Sequence, residues 1–218
     1  MKQLVKEFLP GSALIVLMLI MNMIYGDNLP DQVPVHFGLD GTPDRWEDKG
    51  VFLYMLPLIM AGVMFVVSLL LRFSPKIWSM PNARGILGML YFGCAILISG
   101  IHIGILMDPE IGATFHTIFS LAAALFLVMV GNLLGKSERN FFIGIRLPWT
   151  IASDDNWSAT HRLAGRLMVL TGVALLALSL ASPSLTATIW ALVLPLLVAC
   201  FYSFYYYWTK ERNLEESQ

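Results

Sequence analysis

Six long apolar stretches constrain this chain more than any other feature. They cover approximately residues 8–26, 51–71, 86–107, 113–134, 163–182 and 188–208. A helix rises about 1.5 Å per residue, so each stretch can cross the roughly 30 Å hydrocarbon core of a bilayer. Charged residues make up only 13% of the chain, against about 25% in soluble domains. The sequence therefore predicts an all-α integral membrane protein with about six transmembrane helices.

The charges between these stretches predict how the chain is oriented in the membrane. If the N-terminus is inside, only Arg45 and Lys49 among the 14 basic residues lie outside. The inner basic residues are Lys2, Lys6, Arg72, Lys76, Arg84, Lys136, Arg139, Arg146, Arg162, Arg166, Lys210 and Arg212. The outer side is acidic, with Asp27, Asp31, Asp40, Asp44, Glu47, Asp48, Asp108 and Glu110. Because cytoplasmic loops of membrane proteins are rich in Lys and Arg, both termini are predicted to be cytoplasmic.

The outer connection, residues 27–50, is too long to be a simple turn. Val33, Val35 and Phe37 alternate with polar or Pro residues, a pattern that predicts a short strand. The dipeptide Asp40-Gly41 predicts a turn. We therefore expect a small, partly extended loop on the outer side.

The inner connection, residues 135–162, is also long. Its apolar run, residues 141–145, is far too short to span a bilayer. We expect this run to lie at the membrane surface or to dip into the membrane as a re-entrant segment. Ser153 or Asp154 is predicted to cap the helix that leads into the fifth span, since acidic and hydroxyl side chains favour helix N-termini.

The inner connection carries an ordered set of polar, glycine and aromatic residues. The set is Asn132, Asn140, Gly144, Arg146, Pro148, Trp149, Thr150, Trp157, His161 and Arg162. The order Gly-Asn, then Asn-x-x-x-Gly-x-Arg-x-Pro-Trp-Thr, then Trp, resembles the signature of the SdpI immunity family of bacterial membrane proteins.

The outer connection carries a second resemblance. Its residues Pro34, His36, Asp40, Gly41, Asp44 and Trp46 stand in a pattern that resembles an uncharacterised module often found in front of that family. The two resemblances divide the chain into an N-terminal membrane module, residues 1–112, and an SdpI-like membrane module, residues 113–218, with three spans each.

The family resemblance implies a protein of the bacterial cytoplasmic membrane that protects its producer against a secreted toxic peptide. In the founding case, the protein engaged by the peptide also holds a transcriptional repressor at the inner membrane face. Such a role is non-catalytic and needs no cofactor. The expected partners are the peptide, the lipid bilayer and a cytoplasmic repressor. The net charge of −1 argues against nucleic acid as a direct partner.

The inner residues can also be interpreted from their chemistry alone. Arg146 can bind a carboxylate or phosphate with two hydrogen bonds, beside a backbone that Pro148 makes rigid, which favours a partner or ligand site. Alternatively, Asn132 and Asn140 satisfy backbone groups of a non-helical segment at membrane depth. The segment would then serve to lock the fourth span against the fifth. Catalysis has the least support, since the chain has no Ser-His-Asp set and no His-Glu-x-x-His motif.

The histidines raise a different hypothesis. His102 and His116 fall at similar depth in the third and fourth stretches, and His36 lies in the outer connection. Three imidazoles with a carboxylate would suit Zn²⁺ in a membrane-embedded metalloenzyme. Helix packing is the alternative for His102, because Gly100 and Gly104 flank it. A small-solute transporter is a third function, but no Asp, Glu, Lys or Arg lies near the midplane of a predicted span.

Overall fold

The structure, a computed structural model, describes residues 2–38, 40–73, 83–140 and 143–212. Its elements in chain order are α1 (Lys2–Tyr25), a 3-10 turn (Gly26–Asn28), β1 (Gln32–Phe37), β2 (Pro43–Asp48), α2 (Lys49–Phe73), α3 (Ala83–Met107), α4 (Ala113–Leu134), α5 (Pro148–Ala152), α6 (Asp154–Ala181), α7 (Leu185–Tyr206) and a π-helical turn (Tyr207–Glu211). Within the described residues, six helices are long and apolar enough to cross a membrane. The predicted all-α membrane fold with six spans is therefore confirmed. Lys76, Phe141 and Phe142 lie outside the described residues.

The connections between helices gather at two ends of the bundle. At one end, Phe37 of β1 stacks on Phe115 of α4 with ring centres 5.6 Å apart. At the same end, the hydroxyl of Thr186 in α7 donates to the carbonyl of Asp40 at 3.1 Å. We call this end the hairpin face. The other end, which carries residues 135–140, residues 143–162 and the π-helical turn, we call the motif face. The prediction that the motif face is cytoplasmic stays a prediction.

The outer connection folds as a β-hairpin. β1 and β2 pair antiparallel from Gln32 opposite Asp48 to Phe37 opposite Pro43. The predicted strand and turn are confirmed, and Gly41 has a positive φ of 84°. The sequence pattern does not predict β2, because this strand is largely polar and exposed. Its backbone obtains hydrogen bonds from β1 rather than a buried face of its own.

Helix α6 begins at Asp154, well before its predicted start near residue 163. The hydroxyl of Ser153 accepts a hydrogen bond from the backbone N–H of Asn156 at 3.1 Å, which confirms the predicted cap. With 28 residues, the helix is about 42 Å long and exceeds the roughly 30 Å of hydrocarbon. Hydropathy misses its first turns because their polar side chains contact the motif face instead of lipid.

Helix α4 lies at the centre of the bundle, between α3 and α6. Glycines permit a close approach on both sides. A Cβ on Gly100 of α3 would overlap a side chain of α4, and a Cβ on Gly165 of α6 would lie 2.8 Å from the backbone nitrogen of Gly135. A Cβ on Gly104 would lie 3.0 Å from the ring of Phe115. The packing role predicted for Gly100 and Gly104 is therefore confirmed.

Candidate functional site

The centre of the motif face is a stack of two aromatic rings on α6. The ring centres of Trp157 and His161 are 4.1 Å apart and the rings are inclined by 19°. The Nε2 of His161 accepts the N–H of Ile145 at 2.8 Å, so the imidazole proton is on Nδ1, which donates to the carbonyl of Trp157 at 2.7 Å. The indole N–H of Trp157 donates to the carbonyl of Ser137 at 3.0 Å. The stack thereby holds the backbone between α4 and α5 at two points, Ser137 and Ile145.

Gly144 lies directly on this stack. Its φ is +135°, a conformation that residues with a side chain rarely adopt. A Cβ at this position would collide with Nε2 of His161 and would lie 2.7 Å from the Trp157 ring. Backbone conformation and packing therefore both require glycine here.

Asn140 bonds the backbone of the non-helical segment. Its amide nitrogen donates to the carbonyls of Glu138 at 2.8 Å and Ile143 at 3.1 Å, and its oxygen accepts the N–H of Ile143 at 2.8 Å. The proposed role in satisfying backbone groups thus fits Asn140. It does not fit Asn132, whose exposed side chain accepts a hydrogen bond from Nζ of Lys136 at 3.0 Å.

Thr150 closes the turn that leads into α5. Its side chain is fully buried. The hydroxyl oxygen accepts the N–H of Leu147 at 2.9 Å and lies 2.8 Å from the carbonyl of Ile145. Pro148 follows at the first position of α5, where the lack of an N–H costs no helical hydrogen bond.

Helix α7 joins the motif through Ser203. The indole N–H of Trp149 donates to the Ser203 hydroxyl at 2.8 Å. The buried amide of Asn156 donates to the Ser203 carbonyl at 3.1 Å and to the Glu211 carboxylate at 3.2 Å. Trp149 also stacks on Tyr207, with ring centres 6.2 Å apart. The end of α7 and the π-helical turn are therefore held against α5 and the start of α6.

The predicted site residues omit several members of this network, among them Ser137, Arg139, Asn156, Ser203 and Glu211. The guanidinium of Arg139 forms an ion pair with Asp154 at 2.7 Å, which ties the segment to the start of α6. Arg139 and Asn156 lie within the predicted inner loop, so their polar character in that loop was a usable signal. Ser203 gives no such signal, because it stands alone in an apolar span.

Four motif residues are exposed: Asn132, Arg146, Pro148 and Arg162. The guanidinium groups of Arg146 and Arg162 suit a carboxylate or a phosphate. The motif therefore has two parts. The buried part, centred on Trp157 and His161, shapes the segment, and the exposed basic part faces the surroundings of the protein.

The turn of the outer hairpin is stabilised by Asp40. The backbone N–H and the hydroxyl of Thr42 both donate to its carboxylate, at 3.1 Å and 2.9 Å. These bonds favour the charged form, so they lower the pKa of the Asp40 carboxyl. Gly41 provides the positive φ that the turn requires.

The other predicted outer residues lie on the two strands. Pro34 is buried in β1, whereas Trp46 of β2 is 50% exposed. His36 and Asp44 approach to 2.6 Å across the hairpin. The hairpin thus presents an exposed indole and an exposed His–Asp pair.

The structure does not bring together the three histidines of the zinc hypothesis. His36 bonds a carboxylate of the hairpin, whereas Nε2 of the buried His102 is 2.7 Å from the side-chain oxygen of Asn22. His116 lies on α4 and bonds neither of the others. In the part of the chain that the structure describes, no group of three or more His, Cys, Asp or Glu side chains is placed to hold a metal ion. The geometry therefore gives the zinc hypothesis no support.

These features define a multi-pass membrane protein with a β-hairpin at one end and a hydrogen-bonded polar motif at the other. Residues 136–207 match the SdpI/YfhL protein family, and residues 13–61 match a domain of unknown function, DUF1648. The match over residues 136–207 confirms the resemblance inferred from the motif. The predicted module boundary between residues 112 and 113 stays a prediction.

A curated relative extends the similarity along the chain. Immunity protein SdpI of Bacillus subtilis (strain 168) is 22% identical over 197 residues, which cover 89% of this chain and 92% of the relative. No solved structure matches the chain. With its six spans, the chain is a multi-pass bacterial membrane protein.

Proposed function

We propose that this protein is a membrane immunity protein that protects a bacterium against a secreted toxic peptide. The observation that carries the proposal is the similarity to a relative named as an immunity protein, which extends over nearly the whole of both chains. An interaction protein of this kind acts by binding, without catalysis.

The arrangement of the two faces supports a binding role. The hairpin face carries an exposed Trp46, and exposed aromatic residues are common anchors at protein interfaces. The motif face presents Arg146 on a segment that is hydrogen-bonded to buried side chains of α6, and Arg162 on α6 itself. We propose that the hairpin face meets the peptide and that the motif face contacts a cytoplasmic partner.

The test is survival of a toxin-sensitive bacterium that expresses the protein and is challenged with a purified membrane-depolarising peptide. Wild type is compared with Trp46→Ala at matched membrane abundance. Tyr54→Ala is the control, because it removes another exposed aromatic side chain, 56% exposed on α2. We expect wild type and Tyr54→Ala to protect and Trp46→Ala to lose at least tenfold in survival. Wild-type protein that is present in the membrane and gives no protection contradicts immunity against that peptide.

A finer proposal concerns the motif face. We propose that it holds a transcriptional repressor at the membrane when the peptide is bound. In that case peptide treatment should raise the transcripts of a defined gene set in cells with wild-type protein, and Arg146→Ala should abolish this response. Arg166→Ala removes another exposed charge, from α6, and should leave the response intact. An unchanged response in Arg146→Ala would exclude Arg146 from partner binding.

A further inference from the structure

Pro57 creates an unpaired carbonyl inside α2. Proline has no N–H, so the carbonyl of Leu53, four residues earlier, loses its helical donor. The side-chain amide of Asn22 in α1 donates to this carbonyl at 2.6 Å. This hydrogen bond is favoured because an unpaired backbone group is costly in a membrane span. It orients the Asn22 amide, with the nitrogen toward Leu53 and the oxygen toward α3.

The orientation of Asn22 determines where the proton of His102 lies. The side-chain oxygen of Asn22 is 2.7 Å from Nε2 of His102. Because this oxygen only accepts, Nε2 must donate, and the neutral imidazole then has an acceptor lone pair on Nδ1. The ring is held in place by stacking on Phe52, with centres 4.9 Å apart and planes inclined by 18°.

Two buried polar atoms on α3 have no protein partner among the described residues. They are Nδ1 of His102 and the hydroxyl oxygen of Ser99. His102 is 0% exposed and Ser99 is 4% exposed. Residues three apart on a helix are neighbours on its surface, so Ser99 and His102 are neighbours on the same side of α3.

We infer that His102 and Ser99 form a binding site for one water molecule. The water donates to Nδ1 of His102 and accepts the hydroxyl proton of Ser99. Both groups then gain the hydrogen bond that buried polar atoms in proteins normally have. The water completes a relay from the Leu53 carbonyl through Asn22 and His102 to Ser99, which links α1, α2 and α3 beneath the hairpin face. This site is independent of the proposed immunity function.

The experiment is nuclear magnetic resonance on the full chain in lipid nanodiscs, with histidine labelled by ¹⁵N. His102→Gln assigns the resonances by their disappearance. We expect His102 to carry its proton on Nε2, and its Nδ1 resonance to show the shift of a hydrogen-bonded acceptor and a cross-peak to water. His161, with its proton on Nδ1 and a backbone partner on Nε2, is the internal reference of opposite tautomer.

A pair of variants tests the part of Ser99. Ser99→Ala should keep the His102 tautomer but weaken the water cross-peak at least severalfold and move the Nδ1 resonance. Ser179→Ala, which removes a buried hydroxyl from α6 that donates to its own helix, should change neither. A proton on Nδ1, a wild-type Nδ1 without a water cross-peak, or an unchanged cross-peak in Ser99→Ala would overturn the inference.

Discussion

At the scale of single residues, Gly144 shows how the motif depends on one missing side chain. Gly144→Ala would impose a strained backbone, which costs about 1–3 kcal/mol, and would press a methyl group against Trp157 and His161. We expect a total loss of about 2–4 kcal/mol in the free energy of unfolding. Thermal unfolding of the purified protein, followed by tryptophan fluorescence, measures it. Gly62→Ala is the control, because a Cβ there meets no atom within 4 Å. Equal melting temperatures would contradict the structure.

The two asparagines of the motif should differ in their effect on stability. Asn140→Ala removes three hydrogen bonds to the backbone and should cost about 1–3 kcal/mol. Asn132→Ala removes an exposed contact with Lys136 and should change stability by no more than about 0.5 kcal/mol. The comparison needs only the unfolding curves of the two variants. If Asn132→Ala proved the more damaging, the assignment of Asn140 to backbone support would be wrong.

At the scale of elements, the contact between α1 and α2 depends on Pro57. Pro57→Ala restores an N–H that can bond the Leu53 carbonyl within α2. The Leu53 carbonyl then no longer needs the hydrogen bond from the Asn22 amide. We therefore expect Asn22→Leu to be less destabilising in the Pro57→Ala background, by about 1 kcal/mol. A double-mutant cycle on unfolding free energies gives this coupling. A coupling of zero would show that Asn22 does not compensate for the proline.

At the scale of the whole molecule, the predicted orientation can be tested by labelling with a membrane-impermeant maleimide. Cys94 and Cys200 are first replaced by Ala. Asp44→Cys on the hairpin face should then react in intact spheroplasts, whereas Lys136→Cys on the motif face should react only after permeabilisation. The physical reason is the excess of Lys and Arg near the motif face. The reverse labelling pattern would overturn the predicted topology.

Much of the fold follows from the sequence because hydropathy is a local property. Each of the six spans is recognisable from its own residues. The cap at Ser153 and the turn at Gly41 are equally local. The start of α6 and the strand β2 are different: the former depends on polar contacts with the motif face and the latter on pairing with β1.

The candidate site divides in the same way. The sequence identifies the residue types of the motif, and all of its residues except Asn132 fall within the family match over residues 136–207. It does not reveal that Asn156 and Trp149 both bond Ser203, because that serine is about 50 residues away along the chain and belongs to an apolar helix. Likewise, nothing local separates the roles of Asn132 and Asn140.

By itself, the sequence determined that this protein resides in a lipid bilayer, how many spans it has and where its motif lies, since each depends on the composition of short segments. Tertiary structure alone decided which polar groups meet. Asn22 faces Leu53 and His102, and Gly144 lies on the stack of Trp157 and His161. The reason is that unpaired polar groups are costly in a bilayer, and their partners are chosen by the packing of helices that are distant in sequence.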